Sequence, residues 1–138
     1  MTELLKIQDF DQMYAIMEAS FPDDEYRGYE GQRQLFENPE YKVFIHRNEE
    51  TKEIDGFLSA WEFDDILFFE HFAVSSKVRN GGIGGRMLRE ILTQVNKLTC
   101  LEVELPEGEL EKRRISFYER NGFFYNPYPY TQPSIAPG

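Results

Sequence analysis

The sequence predicts a mixed-sheet α/β (α+β) domain in which an antiparallel meander is followed by a βαβ crossover. Three observations predict it. Strand-like runs within residues 41–74 are joined by connections too short for a parallel crossover. A glycine cluster then opens an amphipathic helix and leads to another strand, which is the length of a right-handed βαβ unit. At 138 residues the chain has the size of one ordinary domain, so a single domain over 1–138 is expected.

Each element has its own signal. Phe10, Met13, Tyr14 and Met17 fall at i, i+3, i+4 and i+7, predicting a helix over 9–20 with Asp9 and Gln12 as a capping box. Phe21-Pro22 ends it. A weaker helix is expected from Gly31 to Phe36. Tyr41, Val43 and Ile45 alternate with Lys42 and Phe44, a polar turn at 48–53 leads to Ile54–Glu62, and Asp64-Asp65 turns the chain into Ile66–Val74. Beyond the glycines, Ile83, Met87, Leu88, Ile91, Leu92 and Val95 share one helical face. Leu98–Leu105 reads as a strand, and a last helix runs from Glu109 to Asn121 with Gly122 as its C′ residue. Phe123–Tyr125 reads as the start of a further strand. Residues 126–138 carry four prolines and no charge, and no regular structure is expected there.

Composition narrows the function classes. Fifteen basic against twenty-five acidic residues give a net charge of −10, which argues against nucleic-acid binding. Cys100 is the single cysteine, so an intrachain disulfide is impossible, and with two histidines no metal site is expected. No apolar run is long enough to span a bilayer and the N-terminus has no signal-peptide pattern. The expectation is a cytoplasmic protein with no membrane partner.

The most informative stretch runs from Val74 to Arg86. Gly81, Gly82, Gly84 and Gly85 leave backbone N–H groups uncovered at a helix N-terminus, where the helix dipole adds positive potential. From His71 to Arg89 the only charges are Lys77, Arg79, Arg86 and Arg89, a +4 island in a remainder of −14. This pattern suits a phosphate-bearing ligand, although a glycine-rich turn without a ligand gives the same composition. A P-loop is excluded because no Lys-Ser or Lys-Thr follows the glycines. The dinucleotide fingerprint fails where Met87 stands at its last glycine.

Arg79-x-x-Gly82-x-Gly84, between the strand ending Phe72-Ala73-Val74 and an amphipathic helix, resembles motif A of the GNAT superfamily of N-acetyltransferases. Ile115-Ser116-Phe117-Tyr118-Glu119-Arg120-Asn121-Gly122-Phe123 is similar to the closing signature of the same superfamily. The resemblance covers roughly residues 4–126, and the tail Asn126–Pro133 is similar to that of a bacterial branch. It implies the acyl-CoA N-acyltransferase fold, with a fourth and a fifth strand that splay apart around the pantetheine of acetyl-CoA. Phe72, Ala73 and Val74 would offer main-chain groups to the pantetheine and thioester. Asn80, Gly81, Gly82, Ile83, Gly84 and Gly85 would offer N–H groups to the pyrophosphate, with Arg79 supporting the loop or touching phosphate. Where many members carry Asn, this chain has Glu111, and Arg113-Arg114 stand nearby as a further phosphate contact or as surface salt-bridge residues.

Acetyl transfer to an amine needs a neutral nucleophile, a polarised thioester and a proton for the leaving thiolate. Glu70 is the lone charge between Ile66 and Val74, and strand alternation sets it on one face with Phe68 and Phe72. Desolvation there would raise its pKa and suit it as the base; pointing to solvent or pairing with a neighbouring cation is the other reading. Matching the family tyrosine, Tyr118 is the candidate acid; its alternative is a core aromatic. Glu104 is a reserve base among the acids at 102–111, which otherwise read as a solvated face. Trp61, Tyr125, Tyr128 and Tyr130 are candidates to wall the acceptor pocket or to pack. His46 and His71 have no catalytic spacing and read as packing or surface.

The expected function is N-acetylation, by direct transfer in a ternary complex, with acetyl-CoA and a primary amine of a small molecule or peptide as partners. The alternatives are a non-catalytic acyl-CoA-binding regulatory module and, more remotely, a different nucleotide binder. Few residues follow Tyr125, so the last strand is short, the chain is truncated, or a second copy completes the sheet in a homodimer.

Overall fold

The computed structural model describes residues 2–78, 81–95, 97–102 and 108–123. The strands are β1 (Thr2–Leu4), β2 (Tyr41–Arg47), β3 (Ile54–Glu62), β4 (Ile66–Val74) and β5 (Leu98–Leu101). The helices are α1 (Phe10–Ser20), α2 (Tyr29–Gln34), α3 (Ile83–Gln94) and α4 (Glu109–Arg120). The strands form one mixed sheet in the order β1-β2-β3-β4-β5, antiparallel from β1 to β4 and parallel between β4 and β5. The meander and the crossover through α3 match the sequence expectation. β1 was not expected: three residues are too few to show alternation, and pairing with Phe44–His46 supplies what propensity does not.

Two cores flank the sheet. On one face α1 buries Phe10, Met13, Tyr14 and Met17 against Val43, Ile45 and Phe57. On the other, Leu88 and Ile91 of α3 pack with Phe44, Leu58, Leu67 and Phe69, and α4 adds Phe117 and Tyr118. Fully buried side chains such as Leu88 and Ile91 each contribute about 2 kcal/mol of hydrophobic free energy. β3 is buried from Ile54 to Ala60 because both of its faces are covered.

The capping box at α1 does not form. Asp9 stands at the N-cap without a side-chain cap bond and pairs with Arg47 instead, Oδ2 to Nη2 at 3.0 Å. Gln12 Oε1 accepts from Ile54 N at 3.1 Å. Both side chains tie the helix to the β2–β3 hairpin, a tertiary gain that replaces the local cap. The second helix begins at Tyr29, two residues earlier than expected, and closes in a 3₁₀ turn at Leu35–Glu37. At the end of α4, Gly122 has φ 97°, the left-handed conformation expected of a C′ glycine.

Candidate active site

The site begins at the centre of β4. Among the described residues β4 pairs with β5 over Ile66–Phe69, opposite Leu98–Leu101, and residues 103–107 lie outside the described residues. Immediately beyond that last pair the β3–β4 ladder slips: Ala60 faces Phe69 and Ser59 faces His71, so Glu70 is an extra residue, a β-bulge. Ser59 Oγ takes the N–H of His71 at 3.1 Å from within the core. From Glu70 to Val74, β4 has no described β5 residue beside it.

The bulge overturns one expectation. Alternation puts Glu70 and Phe72 on the same face, but the extra residue reverses the pattern. Phe72 turns to the α3–α4 side, with ring centroids 6.0 Å from Phe117 and 6.4 Å from Tyr118. Val74 lies on that side too, while Ala73 packs with the α1 core. Glu70 faces the segment between α1 and α2, where Arg27 meets it at two points, Nη1 to Oε1 at 2.7 Å and Nη2 to Oε2 at 3.0 Å. Trp61 Nε1 donates to Oε2 at 3.1 Å, and the Arg27 guanidinium lies 5.9 Å from the Trp61 ring centroid.

The expected upward pKa shift of Glu70 is therefore corrected. Burial alone raises it, but the His71 ring 3.5 Å away and the two-point bond with Arg27 outweigh burial and hold the carboxyl at about 2. The partnered reading of Glu70 is the one the geometry realises, with a cation from a distant loop and not from a neighbouring strand.

His71 is buried, and its Nε2 donates to the Glu25 carbonyl at 2.7 Å. Its Nδ1 lies 3.5 Å from Glu70 Oε1 and has no hydrogen-bond partner. Tyr14 donates its hydroxyl to the Arg27 carbonyl at 2.8 Å, and Phe21 sets its ring edge-on to His71. Behind them Gln32 donates to the Tyr41 hydroxyl at 2.5 Å, and burial pushes the Tyr41 phenol up to about 12. Arg27, Ser59 and His71 were missed as members of this cluster. A lone arginine in an acidic loop gives no periodic signal, and its contact with Glu70 spans 43 residues.

Across the sheet, α3 starts at Ile83 with Gly82 as its N-cap. Gly82 has φ 73° with open space around its Cβ position, and there is no side-chain cap bond and no acid in the first turn. The first intrahelical bond runs from Arg86 N to Gly82 O, so the amides of Ile83, Gly84 and Gly85 precede the ladder. Gly84 abuts the site wall: a Cβ there would lie 3.5–3.6 Å from Val74, Phe117 and Phe72. Exposed amides, the dipole and this glycine surface fit a pyrophosphate. Arg79, Asn80, Glu104, Tyr125, Tyr128 and Tyr130 lie outside the described residues.

Tyr118 sits on α4 among Phe72, Phe117 and Phe123, the last at 5.7 Å. Burial drives its phenol up to about 12, with Arg114 the smaller opposing influence. The structure thus brings Phe72, Val74, Gly84 and Tyr118 together and sets Glu70 on the opposite face. His46 is elsewhere, buried with Nδ1 2.7 Å from Asp55 Oδ1. Among the described residues no cluster of acids, His and Cys has the make-up of a metal site, and no helix is long and apolar enough to cross a membrane.

A bulged strand with a parallel neighbour beside a glycine-capped helix is the arrangement of an acyltransferase-like class. Residues 39–124 match the model of the acetyltransferase (GNAT) domain, and the chain belongs to this family. A solved structure from Bacteroides thetaiotaomicron, described as a GNAT-family acetyltransferase, shares 33% identity and superposes with a TM-score of 0.87, covering 97% of this chain and 77% of that one. A Bacillus subtilis protein described as the acetyltransferase YjbC is 36% identical over 64 residues, 45% of this chain. Those residues amount to 33% of that relative's length. An aminoglycoside antibiotic 6'-N-acetyltransferase from Acinetobacter baumannii shares the fold, with TM-score 0.74, 13% identity and 98% of each chain covered.

Proposed function

We propose that the protein, as one domain over 1–138, is an N-acetyltransferase that moves the acetyl group of acetyl-CoA to a primary amine by direct transfer in a ternary complex. The observation that carries this reading is the bulge at Glu70, which turns Phe72 towards both the Gly82-capped α3 and the Tyr118 wall. Phe72, Ala73 and Val74 supply the strand edge for the pantetheine. The amides of Gly82–Gly85 supply the pyrophosphate contacts, with Arg79 and Asn80 beside them, whereas the Gly81 N–H, also expected to contribute, is donated to the Val78 carbonyl at 3.0 Å. The acceptor is a small molecule or peptide, and the reaction takes place in the cytoplasm.

The amine nitrogen attacks the thioester carbon, the C–N bond forms, the C–S bond breaks, and the amine's proton is lost as the thiolate gains one. Tyr118 has the properties of the donor. Its phenol is protonated at neutral pH, and it has no hydrogen-bond partner among the described residues. A phenol near 12 gives up its proton to a thiolate of pKa ~8.5 only uphill, by about 5 kcal/mol. Its contribution is therefore a hydrogen bond that stabilises sulfur as charge develops, with the amine's proton completing the exchange.

Glu70 is a poor direct base. Accepting a proton from an ammonium of pKa ~10 at a carboxylate near 2 costs more than about 10 kcal/mol. The acceptor therefore enters as the free amine, its proton already lost to bulk solvent at a cost of about 4 kcal/mol at neutral pH for a pKa of ~10, and Glu70 serves as a positioning carboxylate. The same observation favours a second reading, a non-catalytic acyl-CoA-binding module, since Glu70 is engaged by Arg27 and Trp61 and is not available as a base. Amine-dependent thiol release from acetyl-CoA tests the choice. Release that needs both an amine and Tyr118 supports the enzyme; CoA binding with no release for any amine supports the module.

A further inference from the structure

The polar cluster around the bulge does something that the reaction scheme does not require. It joins two parts of the molecule that would meet different substrates. Residues 21–28, between α1 and α2, reach the bulge by two ties and are held to α1 by a third. Arg27 grips Glu70 at 2.7 and 3.0 Å, the Glu25 carbonyl receives His71 Nε2 at 2.7 Å, and the Arg27 carbonyl is held by Tyr14. The bulge in turn sets the direction of Phe72 and Val74. With the Ser59–His71 and Trp61–Glu70 bonds as its further side-chain anchors among the described residues, the conformation of the bulge depends on what holds Glu70. Glu70 is nearly buried, and its two oxygens are engaged by Arg27 and Trp61, so its position is fixed by those partners rather than by solvent.

We propose that Arg27 is a positioning residue which, through Glu70 and the β4 bulge, couples the segment between α1 and α2 to the cofactor edge at Phe72–Val74. Loss of the pair slackens the bulge, lets that edge wander and weakens acetyl-CoA binding from the opposite face of the sheet. Conversely, an acceptor that orders residues 21–28 tightens the donor site, because coupling between two ligands is reciprocal. A two-point guanidinium–carboxylate pair is suited to this role, since it fixes both distance and orientation where a lysine would fix distance alone. The proposal rests on the placement of acetyl-CoA along this edge.

The test is calorimetric titration of CoA into the full chain, the variants Arg27→Gln and Glu70→Gln, and their double variant. Circular dichroism and thermal unfolding establish that each is folded at the working temperature. The expected result is that each single change weakens CoA about tenfold and that the double variant is no weaker than the singles, because they break one connection. Trp61, the single tryptophan, reports the same event: its emission shifts on CoA addition in the wild type and not in Glu70→Gln. Unchanged affinity, or losses that add in the double variant, overturns the coupling. If Arg27→Gln does not fold, Arg27→Lys takes its place; about threefold weaker binding supports the proposal and wild-type affinity overturns it. A wild-type chain that fails to bind CoA overturns the donor-site reading itself, a different result from wild-type binding that the variants leave intact.

Discussion

Glu70 and Phe72, two residues apart on one strand, face opposite sides of the sheet. Glu70 meets Arg27 from the α1–α2 side, and Phe72 meets Tyr118 from the α3–α4 side. The bulge between them lets one strand serve the Arg27 cluster on one face and the Tyr118 wall on the other within about three residues.

Removing the Tyr118 hydroxyl separates chemistry from packing. Tyr118→Phe keeps the ring contacts with Phe72 and Phe123 and removes the donor. Amine-dependent kcat should fall about 100-fold, while CoA affinity and the unfolding midpoint stay at wild-type values. An unchanged kcat would assign Tyr118 to the core.

The Glu70 carboxyl is held at about 2 against an ordinary 4.5, with Arg27, His71, the Trp61 N–H and Tyr41 as the groups around it. A carboxyl whose folded pKa is depressed stabilises the fold in its ionised form. That contribution is complete above the unfolded pKa and disappears as pH falls through the folded one, and its size is about 3 kcal/mol. Urea unfolding from about pH 6 to about pH 2 should show a steep acid limb in the wild type and a flatter one in Glu70→Gln. Coincident limbs would mean that the pair with Arg27 does not persist in solution.

With Glu70 ionised across the working range, its titration does not limit turnover from below. Initial rates at saturating acetyl-CoA should climb with pH towards the acceptor's own pKa, near ~10 for an alkylamine. A plateau near pH ~6 would point to a protein base instead.

Gly82 tests the phosphate loop. Its φ of 73° suits glycine, and the space around its Cβ position is open, so Gly82→Ala strains the backbone without a clash. The fold should lose about 1 kcal/mol, and CoA affinity should drop by more than this loss of stability explains. A full loss of folding would contradict the open geometry.

The bulge has its own test. Ser59→Ala leaves the buried N–H of His71 without its partner and should cost about 2 kcal/mol by thermal unfolding. Ser59→Thr, which retains the hydroxyl, should recover part of that loss if the added methyl is accommodated.

Much of the fold was legible because it rests on local periodicity. Alternation across Tyr41–Ile45 and the helical face Met87, Leu88, Ile91 each have a pattern that the structure buries. The start of α3 was legible because the glycines precede an apolar helical face, and the structure places Gly82 at its N-cap. The cluster at Glu70 was not. A bulge inserts one residue and reverses a face without altering composition, and Arg27 reaches Glu70 only through folding. Asp9 and Gln12 show the same limit: a local capping pattern gave way to partners on the β2–β3 hairpin.

The most direct measurement of the central claim is product analysis. Acetyl-CoA, the protein and a panel of primary amines are incubated together and the amines examined by mass spectrometry, with Tyr118→Phe alongside. The account predicts at least one amine that gains a single acetyl group as CoA thiol is released one for one, with the variant strongly impaired. CoA binding without acetylation of any amine, or acetylation that proceeds equally without the Tyr118 hydroxyl, would contradict it.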